Sequence, residues 1–165
     1  MALSSEDLER IEAFRNYIED SVASDDRYGP ASRHDPESQA WFASRFEAAP
    51  NCWFEVGVKP SPAQVHVAFL TSDTERAGIG RQTIEESGGG TEQYIAATFA
   101  ELGIDWPDAH VEQASEGDLT RYTTVTALDD LDDLDSEQRR NQALSVLEGM
   151  LVAFAPALAV EEGAD

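Results

Sequence analysis

The sequence predicts an α+β fold, in which an antiparallel sheet built from two β-hairpins carries helices on one face and a long apolar helix ends the chain. Some segments alternate apolar and polar residues, others repeat apolar residues every three or four positions, and the last periodic segment is apolar nearly all round. With 165 residues, 41% of them hydrophobic, the chain fits a single domain, 1–165. We divide it into an N-terminal helix and loop (1–35), an α+β core (36–155) and an acidic tail (156–165).

Two helices are predicted before the first hairpin. Apolar residues recur at helical spacing over residues 5–23. Asp35 followed by Pro36 is typical of a helix start, because the carboxylate caps free N–H groups and proline suits the first turn. This signal predicts a helix over about 36–48, ended by Pro50. Its apolar face comprises Trp41, Phe42, Ala43 and Phe46.

The first hairpin is predicted over residues 52–58 and 65–69, joined by a turn rich in proline. Both segments alternate, so each has one buried side. A register in which paired residue numbers sum to 123 places apolar residues opposite one another, and a slip of one residue removes every match. The predicted pairs are Val58 with Val65, Val56 with Val67, and Phe54 with Phe69.

Two helices are predicted after this hairpin. Asp73 is a suitable N-cap for a helix over 73–87, although two glycines within it disfavour a helix and leave a third strand as the alternative. Thr91 is expected to cap the next helix, which Gly103 ends.

The second hairpin is predicted over 109–115 and 119–128, joined by a three-residue loop. This loop length assigns the side chains to the two faces of the sheet. The expected buried face comprises Ala109, Val111, Leu119, Val125 and Ala127, and the expected outward face comprises His110, Glu112, Tyr122 and Thr124.

The last helix is apolar on nearly all sides over 143–154, after a possible capping box at Asp135 and Gln138. Its apolar surface exceeds what one sheet face is expected to cover, and large exposed apolar patches mark partner sites. We therefore expect a homodimer, with burial inside one subunit as the alternative. The candidate interface residues are Leu147, Met150, Leu151 and Phe154.

The outward face of the two hairpins offers the candidate chemistry. His66, Glu55, His110 and Glu112 could bind a divalent metal or perform acid–base catalysis. However, His110-x-Glu112 supplies only two ligands, and no further motif adds the rest. The solvated face of a one-sided sheet is the favoured interpretation, so we predict no catalytic residue, no metal site and no cofactor.

The charge balance restricts the possible partners. The chain has 33 acidic and 11 basic residues, and Lys59 is its single lysine. This excess disfavours binding to nucleic acid, which needs clustered Lys or Arg. The sequence also shows no secretion signal and no apolar run long enough for a membrane span, and it has one cysteine, Cys52. We therefore expect a cytoplasmic protein that binds neither nucleic acid nor membrane.

Two resemblances go further. The composition resembles that of cytosolic proteins from extremely halophilic archaea, which implies adaptation to high salt. The order helix, hairpin, helix, hairpin, long apolar helix over about 36–155 is similar to that of the small dimeric chaperones of type III secretion. This similarity implies a non-enzymatic, homodimeric, chaperone-like module that binds a protein or peptide. The alternative is a small metal- or acid–base-dependent enzyme that uses the His/Glu cluster.

Overall fold

The computed structural model describes residues 3–35, 41–60, 62–104, 109–116 and 119–159, with the backbone alone for 109–116. The elements in chain order are α1 (Ser5–Val22), β1 (Ala31–His34), β2 (Phe42–Ala49), β3 (Cys52–Pro60), β4 (Ala63–Thr71), α2 (Thr74–Glu86), α3 (Thr91–Leu102), β5 (Ala109–Glu116), β6 (Leu119–Ala127), a 3₁₀ helix (Leu131–Asp135), α4 (Glu137–Ala153) and α5 (Ala155–Leu158).

The strands form one antiparallel sheet in the order β1-β2-β3-β4-β6-β5, which confirms the predicted α+β class. Alternate residues of this sheet join the hydrophobic core with the helices, and we call this side the core face. Its main residues are Phe42, Phe46, Phe54, Val56, Val58, Val65, Val67, Phe69 and Tyr122. The residues between them form the outer face, which includes Ala43, Arg45, Trp53, Glu55, Gly57, Lys59, His66, Ala68, Leu70, Arg121, Thr123 and Val125.

The β3–β4 hairpin has the predicted register. Phe54 lies opposite Phe69, and the two valine pairs follow as expected. The Phe54 and Phe69 rings are 5.4 Å apart between centroids, and both side chains are fully buried. Pairing apolar residues with apolar residues therefore identified the register correctly.

The predicted helix over 36–48 is wrong. Residues 36–40 lie outside the described part of the chain, and β2 runs from Phe42 to Ala49. Phe42 and Phe46 are four residues apart, a spacing that suits one side of a helix and also one side of a strand. Asp35 forms an ion pair with Arg15 of α1, 3.0 Å between oxygen and nitrogen. The contacts of β2 with its neighbouring strands decide between the two conformations.

The prediction of which β6 side chains lie on the core face is also wrong. Glu116 pairs with Leu119, so two residues and not three connect β5 to β6. This change of one residue moves Tyr122 and Thr124 to the core face and Val125 to the outer face. Threonines occur on both faces of this strand, so its hydrophobic pattern specifies the register weakly.

The helices after the first hairpin agree better with prediction. Asp73 accepts hydrogen bonds from the backbone of Glu75 and Arg76, and α2 is a helix despite its glycines. The end of α3 at Gly103 is confirmed, since this residue has φ of 72°. The N-cap of α3 is Gly90 instead of the predicted Thr91.

The last helix lies inside the core of its own chain. α4 begins after the N-cap Ser136, so the capping box at Asp135 is wrong. The four candidate interface residues Leu147, Met150, Leu151 and Phe154 are at most 5% exposed. Phe154 stacks on Phe69, with 4.5 Å between ring centroids. These residues are therefore covered within one chain, which corrects their assignment to a surface that contacts a partner.

The C-terminal segment is partly structured. α5 occupies the start of the predicted acidic tail, and its Ala157 is fully buried. The backbone carbonyl of Ala157 accepts a hydrogen bond from the Arg76 guanidinium, 2.8 Å away. The core thus extends to Leu158, and residues 160–165 of the tail lie outside the described chain.

Candidate functional site

A buried carboxylate lies at the centre of the outer face. Glu55 is 1% exposed, although the helices pack against the opposite face of its strand. Burial of an ionised carboxylate is costly unless charged or hydrogen-bonding partners surround it. The neighbouring strands supply such partners, and we call Glu55, Arg45, His66 and Arg121 the Glu55 cluster.

Three donors bind the two oxygens of Glu55. Arg45 on β2 donates from Nε to Oε1 at 2.8 Å. Arg121 on β6 donates from Nη1 to Oε2 at 2.7 Å, and the His66 Nε2 lies 2.8 Å from the same oxygen. The cluster therefore links four strands of the sheet, since His66 belongs to β4 and Glu55 to β3.

The surroundings keep Glu55 ionised. Burial raises the pKa of its carboxyl, but the hydrogen bonds from His66 and Arg121 lower it by more, so that the pKa lies well below its usual range. The carboxylate is thus a fixed negative charge at neutral pH. Nearby, burial and the charge of Arg45 lower the pKa of His34 on β1.

Gly57 gives the imidazole of His66 its position. The two residues lie opposite each other in the β3–β4 register. A Cβ atom at position 57 would lie 2.5 Å from the His66 Nε2 and 2.9 Å from the backbone oxygen of Phe42. The lack of a side chain at Gly57 therefore lets the His66 ring lie close to the sheet and reach Glu55.

The structure brings together two of the four candidate residues, Glu55 and His66. His110 and Glu112 lie opposite Val125 and Thr123 in the backbone register, and their side chains lie outside the described residues. Tyr122, which was also expected on the outward face, is buried on the core face, and Lys59 is exposed on the outer face.

Sequence reasoning missed Arg45 and Arg121. Arg45 was assigned to a helix, and the wrong facing of β6 placed Arg121 on the opposite side of the sheet. The available signal was Glu55 itself, because a carboxylate between strong β-formers needs cationic neighbours on the adjacent strands.

The donor set does not suit a metal ion. Within the described ranges, no group of three His, Cys, Asp or Glu side chains could hold one. Both oxygens of Glu55 already accept hydrogen bonds from cationic or imidazole donors, and the two guanidinium groups repel a cation. Cys52 is fully buried on the core face, where burial raises the pKa of its thiol to about 12.

A second surface feature lies between α3 and α4. It is an open groove of about 310 Å³, lined by Leu102, Ile104, Leu144, Ser145 and Glu148. Leu102 is 45% exposed and, among the described residues, is one of two large hydrophobic residues that are exposed, with Val152. α3 also contacts β5, which lies at the edge of the sheet.

We compared the chain with protein-family models, curated proteins and solved structures, and none of them matches it. None of the helices in the described residues is long and apolar enough to cross a membrane.

Proposed function

We propose that the chain is a non-enzymatic, homodimeric, chaperone-like module that binds a protein or peptide and is adapted to high salt. The exposure of side chains on the outer face supports this function. On this face Trp53 is half-buried, and the side chains of Arg45 and Arg121 are 20% and 26% exposed, so an aromatic ring and two guanidinium groups are open to a partner. A six-stranded sheet that packs its helices on one side presents a broad surface to a partner on the other.

Isolation of partners at high salt tests this function. Tagged protein is used to isolate binding proteins from native lysate in 2 M KCl, with Trp53→Arg as the outer-face variant and Arg27→Glu as a control on another surface. We expect the wild type and the control to retain the same proteins and Trp53→Arg to lose them. Equal recovery with all three proteins would contradict a role for the outer face.

The groove between α3 and α4 is the surface that best supports a homodimer. Leu102, Ile104 and Leu144 form an apolar patch in this groove. A closed two-fold dimer would cover this patch with the same patch of a second subunit. The earlier candidate residues of α4 are unavailable for this role because the core covers them.

Light scattering in 2 M KCl tests the dimer. We expect the wild type to have about twice the 18.0 kDa mass of one chain, and Leu102→Asp to reduce it to one chain by placing a charge in an apolar contact. Val152→Asp is the matched control, since Val152 is another exposed apolar residue, at 40%, and does not line the groove. A wild-type mass of one chain at all concentrations would exclude the dimer.

The net charge of −22 supports the proposed adaptation to high salt. The Debye length falls from about 10 Å at 0.1 M salt to about 3 Å at 1 M, so salt relieves the self-repulsion of the acidic surface. We expect the melting temperature to fall markedly between 2 M and 0.05 M KCl. An unchanged melting temperature across this range would contradict the adaptation.

One observation favours acid–base catalysis as a second candidate function. The 2.8 Å contact between Glu55 and the His66 Nε2 can fix the orientation of the imidazole, as an acid–base pair requires. Metal analysis of the isolated protein separates the metal-dependent form of this candidate from the binding module. A stoichiometric metal that is lost in His66→Ala would favour the enzyme.

A further inference from the structure

One edge of the sheet is open to a further strand. Among the described strands, β1 pairs with β2 alone and lies at the end of the sheet. Its first three residues, Ala31, Ser32 and Arg33, are exposed. Alternate backbone N–H and C=O groups of an edge strand point away from the sheet, where an extended polypeptide can pair with them. β1 is therefore a template for an added strand.

A cavity of about 450 Å³ lies beside the beginning of β1 and is partly open to solvent. Its walls include Glu19, Asp20 and Val22 from the last turn of α1, and Ala31 and Phe46 from the sheet. Ala31 and Phe46 lie opposite each other in the β1–β2 register, and Phe46 belongs to the core face. The cavity thus lies between the end of α1 and the edge of the sheet, on the core-face side.

The walls of this cavity favour a cation. Glu19 and Asp20 supply two carboxylates, and no basic residue lines the cavity within the described part of the chain. Both acids lie in the last turn of α1, where the backbone carbonyl groups form the negative end of the helix dipole. That turn contains no basic residue that would neutralise this end.

The cations near the cavity are already paired. Arg33 forms ion pairs with two carboxylates, one of them that of Glu19. The guanidinium of Arg27 lies 5.8 Å from the centre of the Tyr28 ring, and it also pairs with two carboxylates. Asp20, in contrast, forms no ion pair with any described residue. A ligand can thus supply the counter-charge that Asp20 lacks.

The apolar part of the walls suits the stem of a long basic side chain. Val22, Tyr28 and Phe46 line the same cavity as the two carboxylates, and Lys and Arg combine an aliphatic stem with a cationic head. Tyr28 is 8% exposed, and its hydroxyl makes no hydrogen bond with another described residue, so it can accept one from a ligand. On an added strand, the Cβ atom opposite Ala31 lies roughly 4.5 to 5.5 Å from the Cβ of Ala31. A side chain at that position can therefore enter the cavity.

We propose that β1 and the adjacent cavity bind an extended basic segment of a partner polypeptide. The segment pairs with β1 as an added strand and places a lysine or arginine side chain in the cavity. The cationic head of this side chain lies beside Asp20 and Glu19, and its stem contacts Val22 and Phe46. This site is separate from the outer face, so the inference goes beyond the binding proposed there.

Charge and position favour a basic polypeptide over other occupants. The net charge of −22 repels acidic segments and nucleic acid and attracts a cationic partner. The unpaired edge of β1 adjoins the cavity, and a free amine would fill the cavity without using this edge. A second copy of the chain is as acidic as the first, and Arg33, the one Lys or Arg in its own β1, is already paired.

Peptide binding tests the role of the cation. Fluorescence anisotropy in about 1 M KCl, which screens general attraction to the acidic surface, measures a labelled peptide with the sequence Thr-Val-Lys-Val-Thr and blocked ends. Norleucine in place of lysine keeps the stem and removes the charge. We expect the lysine peptide to bind about 5-fold more tightly, which corresponds to about 1 kcal/mol. Equal binding of the two peptides would contradict the proposal.

Asp20→Asn should remove this preference for lysine. The variant should fold, because Asp20 is exposed and an acid in the last turn of a helix is unfavourable. Glu9→Gln is the matched control, since Glu9 is another exposed acid of α1 and does not line the cavity. We expect the control to keep the preference. The same result in both variants would mean that Asp20 does not hold the cation.

Backbone methylation of the peptide tests the added strand. Methyl groups on alternate peptide nitrogens block one edge of an extended segment and leave the other edge free. Of the two possible methylation patterns, we expect one to abolish binding and the other to preserve it. Equal binding of both methylated peptides would exclude pairing with β1. Competition by butylammonium at the concentration of the peptide would assign the cavity to a small amine instead of a polypeptide.

Hydrogen exchange tests the same site without a variant. Alternate N–H groups of the four residues of β1 point away from β2, and we expect saturating lysine peptide to slow their exchange. Unchanged exchange contradicts the site, and slowing that rises with protein concentration in the absence of peptide assigns the edge to a second copy. The function proposed for the outer face fails separately. If Trp53→Arg loses partner proteins while the wild type does not bind the peptide, the binding module stands and the β1 site is wrong.

Discussion

The two faces of the sheet bury their side chains by different means. On the core face, Phe54, Phe69 and Tyr122 are covered by apolar groups, and the Phe154 ring lies 5.0 Å from that of Tyr122 and stacks on Phe69. On the outer face, Glu55 is as deeply buried, but polar side chains from three other strands surround it, Arg45, His66 and Arg121.

This difference indicates that low solvent exposure of a side chain has two physical causes in this protein, apolar packing and ion pairing. Apolar burial is non-directional and proportional to area, so it stabilises the fold wherever shapes match. A buried ion cluster stabilises little compared with apolar packing of the same volume, but it is costly to break. The core face therefore provides most of the stability, and the outer face holds a defined set of charges in place.

The largest expected effect is on the core face. Phe69→Ala removes a fully buried ring that contacts both Phe54 and Phe154. We expect a loss of about 3 to 5 kcal/mol in the free energy of unfolding, measured by chemical denaturation in 2 M KCl. A loss below about 1 kcal/mol would show that the core face does not carry the fold.

Loss of the buried carboxylate should have the next largest effect. Glu55→Gln leaves two guanidinium groups without their counter-charge, and we expect a loss of about 2 kcal/mol, because the partners are partly solvated. Glu47→Gln is the control, since Glu47 is exposed on the same face, and we expect its effect to stay within about 0.5 kcal/mol. Equal effects in the same denaturation experiment would mean that the cluster has no special role.

The close approach of His66 to Gly57 permits a double-mutant test. Gly57→Ala places a methyl group against the imidazole and should cost about 1 to 3 kcal/mol. In a His66→Ala background, the same substitution should cost less, because the ring is gone and the contact with the Phe42 carbonyl remains. Thermal unfolding of the four proteins gives the coupling energy, and additive effects would contradict the close contact.

Acidification should produce the smallest of these effects, a change in the stability difference between the wild type and Glu55→Gln. The pKa of Glu55 is lower in the folded chain than the value of about 4.3 for an unfolded one, so its contribution is fully present above that pH. The contribution is lost as pH falls towards the folded pKa. We expect the stability difference between wild type and Glu55→Gln to be constant above about pH 5 and to shrink below about pH 4. A difference that grows on acidification would contradict a lowered pKa.

The two hairpins show how far the sequence could predict this fold. In the β3–β4 hairpin, Phe54, Val56 and Val58 each meet an apolar partner in one register, so periodicity alone identified it. In β6, threonines lie on both faces, and a difference of one residue in the loop reversed the assignment of Tyr122 and Val125. The prediction succeeded where one face is uniformly apolar and failed where the two faces are alike.

The prediction of the candidate site succeeded and failed for the same reasons. The sequence identified Glu55 and His66 as neighbours on one face of the first hairpin, because the period of a strand and one register place them there. It did not identify Arg45, since the Phe42 and Phe46 spacing also fits a helix, nor the facing of Arg121. Both arginines reach Glu55 from strands whose conformation or register depends on non-local pairing.

By itself, the sequence determined the α+β class, the acidic character, the first hairpin with its register and the positions of α1 and α3, while it left α2 open between a helix and a strand. These features depend on composition and on contacts between residues close in the chain. Only the tertiary structure decided that Leu147, Met150, Leu151 and Phe154 are covered by the core of the same chain, and that four strands meet around Glu55. The reason is physical: coverage of an apolar helix and pairing of a buried charge depend on elements far apart in sequence, whose packing no local pattern specifies.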